Sequence, residues 1–228
     1  MTLPAIVNTA RTLSYYNTLQ DVMANNLANV SSDGYKSDRV TAHSLEGNPH
    51  PQAVQTIDLS QGELRETGRP LDVSLQGPGF TVIKTANGER LTRGGAYQVS
   101  ADGMLVDRNG NQVLGVDGPL HVAGNKIEIK PDGTIVVDRT EVGRLRLATV
   151  ADTKTLLKEG NGDFVASTPL QDATNIGVHQ GALESSNMSA LTGSVDLIMI
   201  QRAYASSVDA LRVMDGVMGV VANEIGRV

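Results

Sequence analysis

The chain has 228 residues, a net charge of −6, 3% aromatic residues, 24 glycines and neither cysteine nor tryptophan. That length allows one or two domains with a core of Val, Ile and Leu. Lack of cysteine excludes disulfides, thiolate nucleophiles and Cys metal sites, and lack of any basic run excludes a phosphate-binding nucleic-acid surface.

At the N-terminus, Ile6, Thr9, Leu13, Tyr16, Gln20, Met23, Leu27 and Val30 recur in alternating threes and fours. This is the seam of a heptad helix, with Thr9 and Gln20 as polar breaks. Met1-Thr2-Leu3-Pro4-Ala5 lacks the basic start and apolar run of a cleaved signal. The helix is expected to close at Ser31-Ser32-Asp33-Gly34, with Gly34 as the left-handed residue.

Residues 35–55 read as a connector, because Glu46-Gly47-Asn48-Pro49-His50-Pro51 bars a helix and favours extended backbone. From Thr56 the period changes to alternation. Leu71, Val73 and Leu75 alternate with Asp72 and Ser74, as in a half-buried strand. Asn87-Gly88, Gly94-Gly95, Asp102-Gly103, Asn109-Gly110, Asp117-Gly118 and Asp132-Gly133 then punctuate short apolar runs. Asx-Gly pairs supply the positive φ angles of two-residue hairpins, so this region is a string of antiparallel hairpins. Residues 142–150 read as another strand and 153–159 as a short helical turn. Gly181-Ala182-Leu183-Glu184-Ser185-Ser186-Asn187 leads into the last helix, with Ser186 or Asn187 as its N-cap.

In that helix Leu197, Ile200, Tyr204, Ser207, Leu211, Met214, Met218, Val221 and Ile225 follow the heptad hops. It is roughly 60 Å long, more than one compact domain needs. Val195, Ile198 and Met199 make a second apolar stripe, and Val217, Val220 and Ala222 leave the last turns apolar nearly all round. A helix with so many apolar directions requires several neighbours. Gly193, Gly216 and Gly219 weaken it in isolation by about 1 kcal/mol each relative to Ala. The most apolar window, 213–222, is about half the length of a membrane span and contains Asp215. The expected fold is mixed α and β: N- and C-terminal heptad helices pairing as a helical stem, with an antiparallel β-rich middle domain. The expected boundaries are 1–34 for the first helix, 35–55 for the connector, 56–182 for the middle and 183–228 for the last helix.

Three blocks of residues carry a resemblance. Ala24-Asn25-Asn26-Leu27-Ala28-Asn29-Val30-Ser31, followed by Gly34-Tyr35-Lys36, resembles the N-terminal signature of bacterial flagellar axial proteins, the rod, hook and hook-associated subunits. Gln61-Gly62-Glu63-Leu64, Thr67-Gly68, Leu71-Asp72-Val73 and Gly77-Pro78-Gly79-Phe80 are similar to the segment by which rod and hook proteins enter their β domain. Gly181 to Asn187, with Met199-Ile200-Gln201-Arg202-Ala203-Tyr204, resembles the entry to the family's C-terminal helix. Arg69-Pro70-Leu71-Asp72-Val73 and Val142-Gly143-Arg144-Leu145-Arg146-Leu147 are most similar to the proximal-rod branch, with the distal-rod branch next.

The resemblance implies a self-assembling structural subunit of the basal-body rod, the drive shaft that crosses the periplasm and transmits torque. Its implied partners are copies of itself, other rod and hook axial proteins, and the flagellar type III export apparatus, which would deliver it without a cleaved signal. No cofactor, small-molecule substrate, nucleic acid or membrane span is implied. The assembly residues are then Ile6, Leu13, Tyr16, Met23, Asn25, Asn26, Leu27, Asn29, Val30, Gly34 and Tyr35 at one end. At the other they are Leu197, Ile200, Tyr204, Leu211, Met214, Met218, Val221 and Ile225. Asn25, Asn26 and Asn29 read either as a fraying helix end or as amides that bond to neighbouring subunits, and the signature favours the second.

Catalytic and metal chemistry find no foothold. Asp107-Arg108-Asn109-Gly110-Asn111 begins like a calcium loop, but Gln112 and Gly118 stand where that loop needs Gly and Glu. No two of the four histidines have helical ligand spacing, and no Gly-x-Ser-x-Gly elbow exists. A distal-rod or hook-type subunit is the nearest alternative. A binding module on a coiled-coil stalk would form a small fixed oligomer instead, and a hydrolase would need a clustered acid/base site.

Overall fold

The computed structural model describes residues 2–43, 52–173 and 175–225. Helix α1 spans Thr2–Ala28 and helix α2 spans Ala190–Ile225, and every strand between them pairs antiparallel where its register is defined. The fold is therefore mixed α and β, two helices flanking a β-rich middle. The chain divides into two compact units. One draws on α1, α2 and residues 38–56; the other holds Asn29–Ser37 and Ile57–Met188.

In the first unit, the strands Asp38–His43 and Gln52–Ile57 form a two-stranded ribbon. The segment Glu46 to Pro51, expected to be extended, lies outside the described residues. Helix α1 ends at Ala28, short of Gly34. Gly34 does have a left-handed φ of 70°, but it serves a turn in the second unit rather than the helix end. The N-cap of α2 also differs from expectation. The carbonyl of Ser189 accepts the first helical bond from the Gly193 N–H at 2.9 Å, and its hydroxyl accepts from the Thr192 N–H. Ser186 and Asn187 are engaged elsewhere.

In the second unit, one large sheet takes the strands in the order Leu156–Gly160, Asp163–Ala166, Gly88–Thr92, Phe80–Thr85, Gln112–Gly115, Leu105–Val106 and Gln98–Val99. A three-stranded sheet comprises Ile127–Ile129, Thr134–Val137 and Thr140–Arg144. The Asx-Gly signals mark real turns, with φ of 105° at Gly88, 76° at Gly103, 83° at Gly110, 125° at Gly118 and 86° at Gly133. Strand Phe80–Thr85 is buried on both faces. Its Phe80 and Val82 join Leu91, Leu114, Leu156 and Phe164 in one core, and Phe80 and Phe164 meet in a tilted ring pair 5.3 Å apart. Its Ile83 joins Val73, Leu105, Val113, Ile135, Leu145 and Val178 in a second core. The period-2 alternation of side chains is what lets one strand serve two cores.

Two stretches depart from their sequence reading. Residues 142–150 are not one strand: Thr140–Arg144 belongs to the small sheet and Leu147–Thr149 to the large one. Leu145 changes allegiance between them, bridging Gly115 and burying its side chain in the second core. Residues 153–159 hold one 3-10 turn, Thr153–Thr155, and then enter the edge strand Leu156–Gly160.

Gly95 lies so close to Val73 that a Cβ there would sit 1.6 Å from the Val73 carbonyl oxygen. Gly95→Ala is therefore expected to destabilise the second unit by more than about 2 kcal/mol, read as a lowered urea midpoint, because backbone must move to admit one methyl group.

Candidate functional site

Within the first unit, α1 and α2 pack together. The Thr9 hydroxyl, near the start of α1, reaches the Met214 sulfur, well toward the end of α2, so the pair runs antiparallel. Leu13, Tyr16, Met23 and Leu27 on α1 are half-buried, as are Leu197, Ile200, Tyr204, Leu211, Met214 and Met218 on α2. The side chains of Ile6, Val221 and Ile225 lie outside the described residues. No described seam residue named here is fully buried, so this pairing leaves each helix partly covered.

Asn26 is placed differently from the other sequence-assigned amides. It is 1% exposed. Its Nδ2 donates to the Asp38 carbonyl at 2.8 Å, and its Oδ1 accepts from the Asp38 N–H at 2.9 Å. That amide closes the end of α1 onto the ribbon rather than reaching for a neighbouring chain. Asn25 is exposed and Asn29 half-buried, with the Asn29 carbonyl accepting from the Ser32 N–H.

The second unit is fastened where the chain enters and leaves it. Glu184, at the end of strand Ala182–Glu184, is buried with Lys36 and Arg93; their side chains are 1%, 1% and 3% exposed. Glu184 Oε1 accepts from Lys36 Nζ at 2.6 Å and from the Gly62 N–H at 2.9 Å. Its Oε2 accepts from Arg93 Nε at 3.0 Å. The remaining donors are also used. Lys36 Nζ donates to the Ser60 carbonyl, and one Arg93 amine donates to the carbonyls of Gly77 and Gly79. Burial pulls the Lys36 ammonium below its ordinary pKa, and contact with Glu184 partly restores it.

Backbone contacts reinforce the cluster. The Gly34 N–H donates to the Glu184 carbonyl at 2.6 Å, and a Cβ on Gly34 would meet the Arg93 carbonyl oxygen at 2.4 Å. Asn187 Oδ1 accepts from the Ser37 N–H, while its Nδ2 donates to the carbonyls of Asp58 and Ser60. The Tyr35 ring, 7% exposed, lies 4.4 Å from the Lys158 ammonium. Thus residues from all three signature blocks (Lys36, Gly62, Gly77, Gly79, Glu184 and Asn187) meet at one place. Arg93 gave no signal in the sequence, because nothing in its spacing couples it to a glutamate 91 residues away.

A polar cavity of about 420 Å³ adjoins this junction, lined by Asn29, Asp33, Tyr35, Arg108 and Asp163 among others. Asp33 holds Arg65 at 3.0 Å and Arg108 at 2.8 Å. Asp107 spends its carboxylate on its own hairpin, accepting from the N–H groups of Asn109 and Asn111, so the calcium-like stretch is a turn. Burial, and next the charge of Asp107, push the Asp163 carboxyl up to about 6. Among the described residues no cluster of His, Asp and Glu has the makings of a metal site, and no helix is long and apolar enough to cross a membrane.

Comparison with known proteins identifies the class. A model described as flagellar hook protein FlgE/F/G D1 domain matches residues 74–137. A second, flagellar basal body rod FlgEFG protein C-terminal, matches residues 179–224. The chain is 32% identical to the flagellar basal-body rod protein FlgF of Caulobacter vibrioides, over 82% of this chain and 83% of that one. It is 31% identical to the FlgF of Escherichia coli, over 86% and 88%. It is 30% identical to the rod protein FlgG of Agrobacterium fabrum, over 90% and 93%. Both models describe axial proteins of the flagellum. The chain belongs to the flagellar basal-body rod protein family, and within it is FlgF-like. It is a structural rod subunit.

Two outcomes follow from the ion cluster and the cavity. Glu184→Ala leaves two buried cations without their carboxylate and should cost about 3–5 kcal/mol, measured by denaturant unfolding; Glu184→Gln, which keeps an acceptor, should cost less. Asp163 contributes stability at low pH that is lost as pH rises through about 6, because the fold prefers its neutral form. Asp163→Asn should therefore stabilise the protein by about 2 kcal/mol at neutral pH, a gain that shrinks as pH falls toward about 4.

Proposed function

We propose that this subunit builds the rod through its terminal helices, joining copies of itself and other rod and hook axial proteins. Delivery by the flagellar export apparatus and a periplasmic position in the proximal part of the shaft belong to the same reading. The subunit acts by shape and cohesion and not by catalysis.

The observation that carries this reading is the incomplete burial of the helix pair. Leu197, Ile200, Tyr204, Leu211 and Met214 are covered only in part by α1, whereas Ile83, Leu105, Val113 and Ile135 in the β unit are 0% exposed. Isolated helices gain little from propensity and depend on packing of their apolar faces. A helix pair left half-covered gains most from further helices, while the β unit has its own core and needs none. Asn26 serves this scheme by fixing the end of α1 on Asp38.

Incorporation into basal bodies tests the proposal. In cells whose own gene is replaced by the variant, Leu211→Asp should leave the β unit's thermal transition within about 2 °C of wild type, since the substitution lies outside its core. Isolated basal bodies should then lack the subunit and the cells should not swim. Normal incorporation of Leu211→Asp together with Ile200→Asp would remove the helices from the assembly mechanism.

A further inference from the structure

Charge does not balance at the junction of the β unit. Lys36 and Arg93 bring two positive groups to the single carboxylate of Glu184, and all three side chains are buried. The carbonyls of Ser60, Gly77 and Gly79 accept further N–H groups from the two cations. A carbonyl satisfies a donor but carries no net charge, so one positive charge is left over. Asp58 also attracts Lys36, but less than Arg93 repels it, and the Asp58 carboxylate is engaged by the Ser60 N–H. A charge taken out of water without its opposite is costly to hold.

Beside the two cations lies a cavity of about 60 Å³. Lys36 and Arg93 line it together with Thr149 and Thr153, and among the described residues no carboxylate does. The hydroxyls of Thr149 and Thr153 have no hydrogen-bond partner among the described residues, so both can donate. Leu59, Phe80 and Val150 supply apolar wall, which lowers the local dielectric and strengthens any attraction between the cations and an ion beside them. One water-sized sphere needs about 10–15 Å³ of such volume, so a halide-sized ion has room. A further cation would be repelled. A divalent oxyanion would bring more charge than the single excess it meets. The larger cavity nearby differs, because Asp33, Asp107 and Asp163 line it and oppose an anion.

We propose that this cavity binds a small monovalent anion of halide size, held by Lys36 and Arg93 and by the hydroxyls of Thr149 and Thr153. The ion neutralises the leftover charge. It also draws the end of strand Leu147–Thr149 and the turn Thr153–Thr155 onto the cluster that joins residues 36, 93 and 184. The unfolded chain offers no such site, so the ion stabilises the β unit by mass action. Every residue of the site belongs to that one compact unit, and the proposal is independent of how the subunit assembles.

The width of the chloride NMR line reads binding directly on the full-length chain. Adding the protein should broaden the line, and bromide should compete the excess width away. Lys36→Met leaves Arg93 and Glu184 as a balanced pair and should abolish that excess. Lys158→Met, the same charge change away from the cavity, should keep it. Thr149→Val combined with Thr153→Val should weaken chloride binding about tenfold, through two lost hydrogen bonds to the ion. Stability gives a second readout. Exchange of gluconate, which is too large to enter, for chloride at one ionic strength should raise the thermal midpoint by about 2–4 °C more in wild type than in Lys36→Met. Measuring the same exchange in both chains removes general salt effects and any loss of stability in the variant. Absence of excess broadening, as water alone in the cavity would give, overturns the proposal. So does an equal chloride response in wild type and Lys36→Met, or full affinity in the double threonine variant.

Discussion

A carboxylate buried between two cations fixes the β unit, because each of the three groups would be intolerable there without the others. Glu184, Lys36 and Arg93 come from the end, the beginning and the middle of the unit's sequence, and the first two are 148 residues apart. Desolvating three charges costs more than their attraction returns unless every remaining lone pair and proton is also satisfied. Here the Gly62 N–H and the carbonyls of Ser60, Gly77 and Gly79 do that. The cluster adds little net stability beyond what an apolar triad would give. What it does is tie the entering segment at Lys36, the returning strand at Glu184 and the 60–62 and 77–79 loops to one another through a single set of buried charges.

The helices obey a different logic. The β unit encloses two cores whose central residues are fully buried, such as Val82, Ile83 and Val113 at 0% exposure. On α2 the apolar side chains point in opposite directions, and one helix neighbour covers only one of them. Apolar surface left in water at Leu191, Met199 or Val213 stabilises nothing until something covers it. The same chain thus joins a part that is complete alone to a part that is not, a division suited to a subunit that must fold separately and then polymerise.

Sequence reading recovered what is local. The hairpin turns were legible because Asx-Gly encodes a positive φ within two residues, whatever the rest of the chain does. The two helices were legible because a period of threes and fours persists over many turns. Features set by distant contacts were not. Leu145 sits in a run that reads as one strand, yet it leaves one sheet for another because Gly115 and the second core claim it. Gly34 looked like a helix end because a left-handed φ is readable from residue type, but the Arg93 carbonyl that independently bars a Cβ there is not. The N-cap moved to Ser189 for a similar reason: Asn187 and Ser189 are equally good capping residues by type, but Ser37, Asp58 and Ser60 already occupy the Asn187 amide.

This last displacement bears on what the signature residues do. A motif shared with a polymer-forming family invites the view that its residues face other subunits. In the β unit, however, Lys36, Gly62, Gly77, Gly79, Glu184 and Asn187 face one another. In the helical unit, Asn26 closes onto the backbone of Asp38. Buried polar groups need partners close at hand and in fixed geometry, and such partners are most securely provided within one chain. Contacts between subunits are better made by side chains left uncovered after folding, and on α2 those are the ones the signature mostly passes over. The motif residues fasten the subunit's own fold, and the apolar side chains along the outer face of α2 are what that fold leaves uncovered.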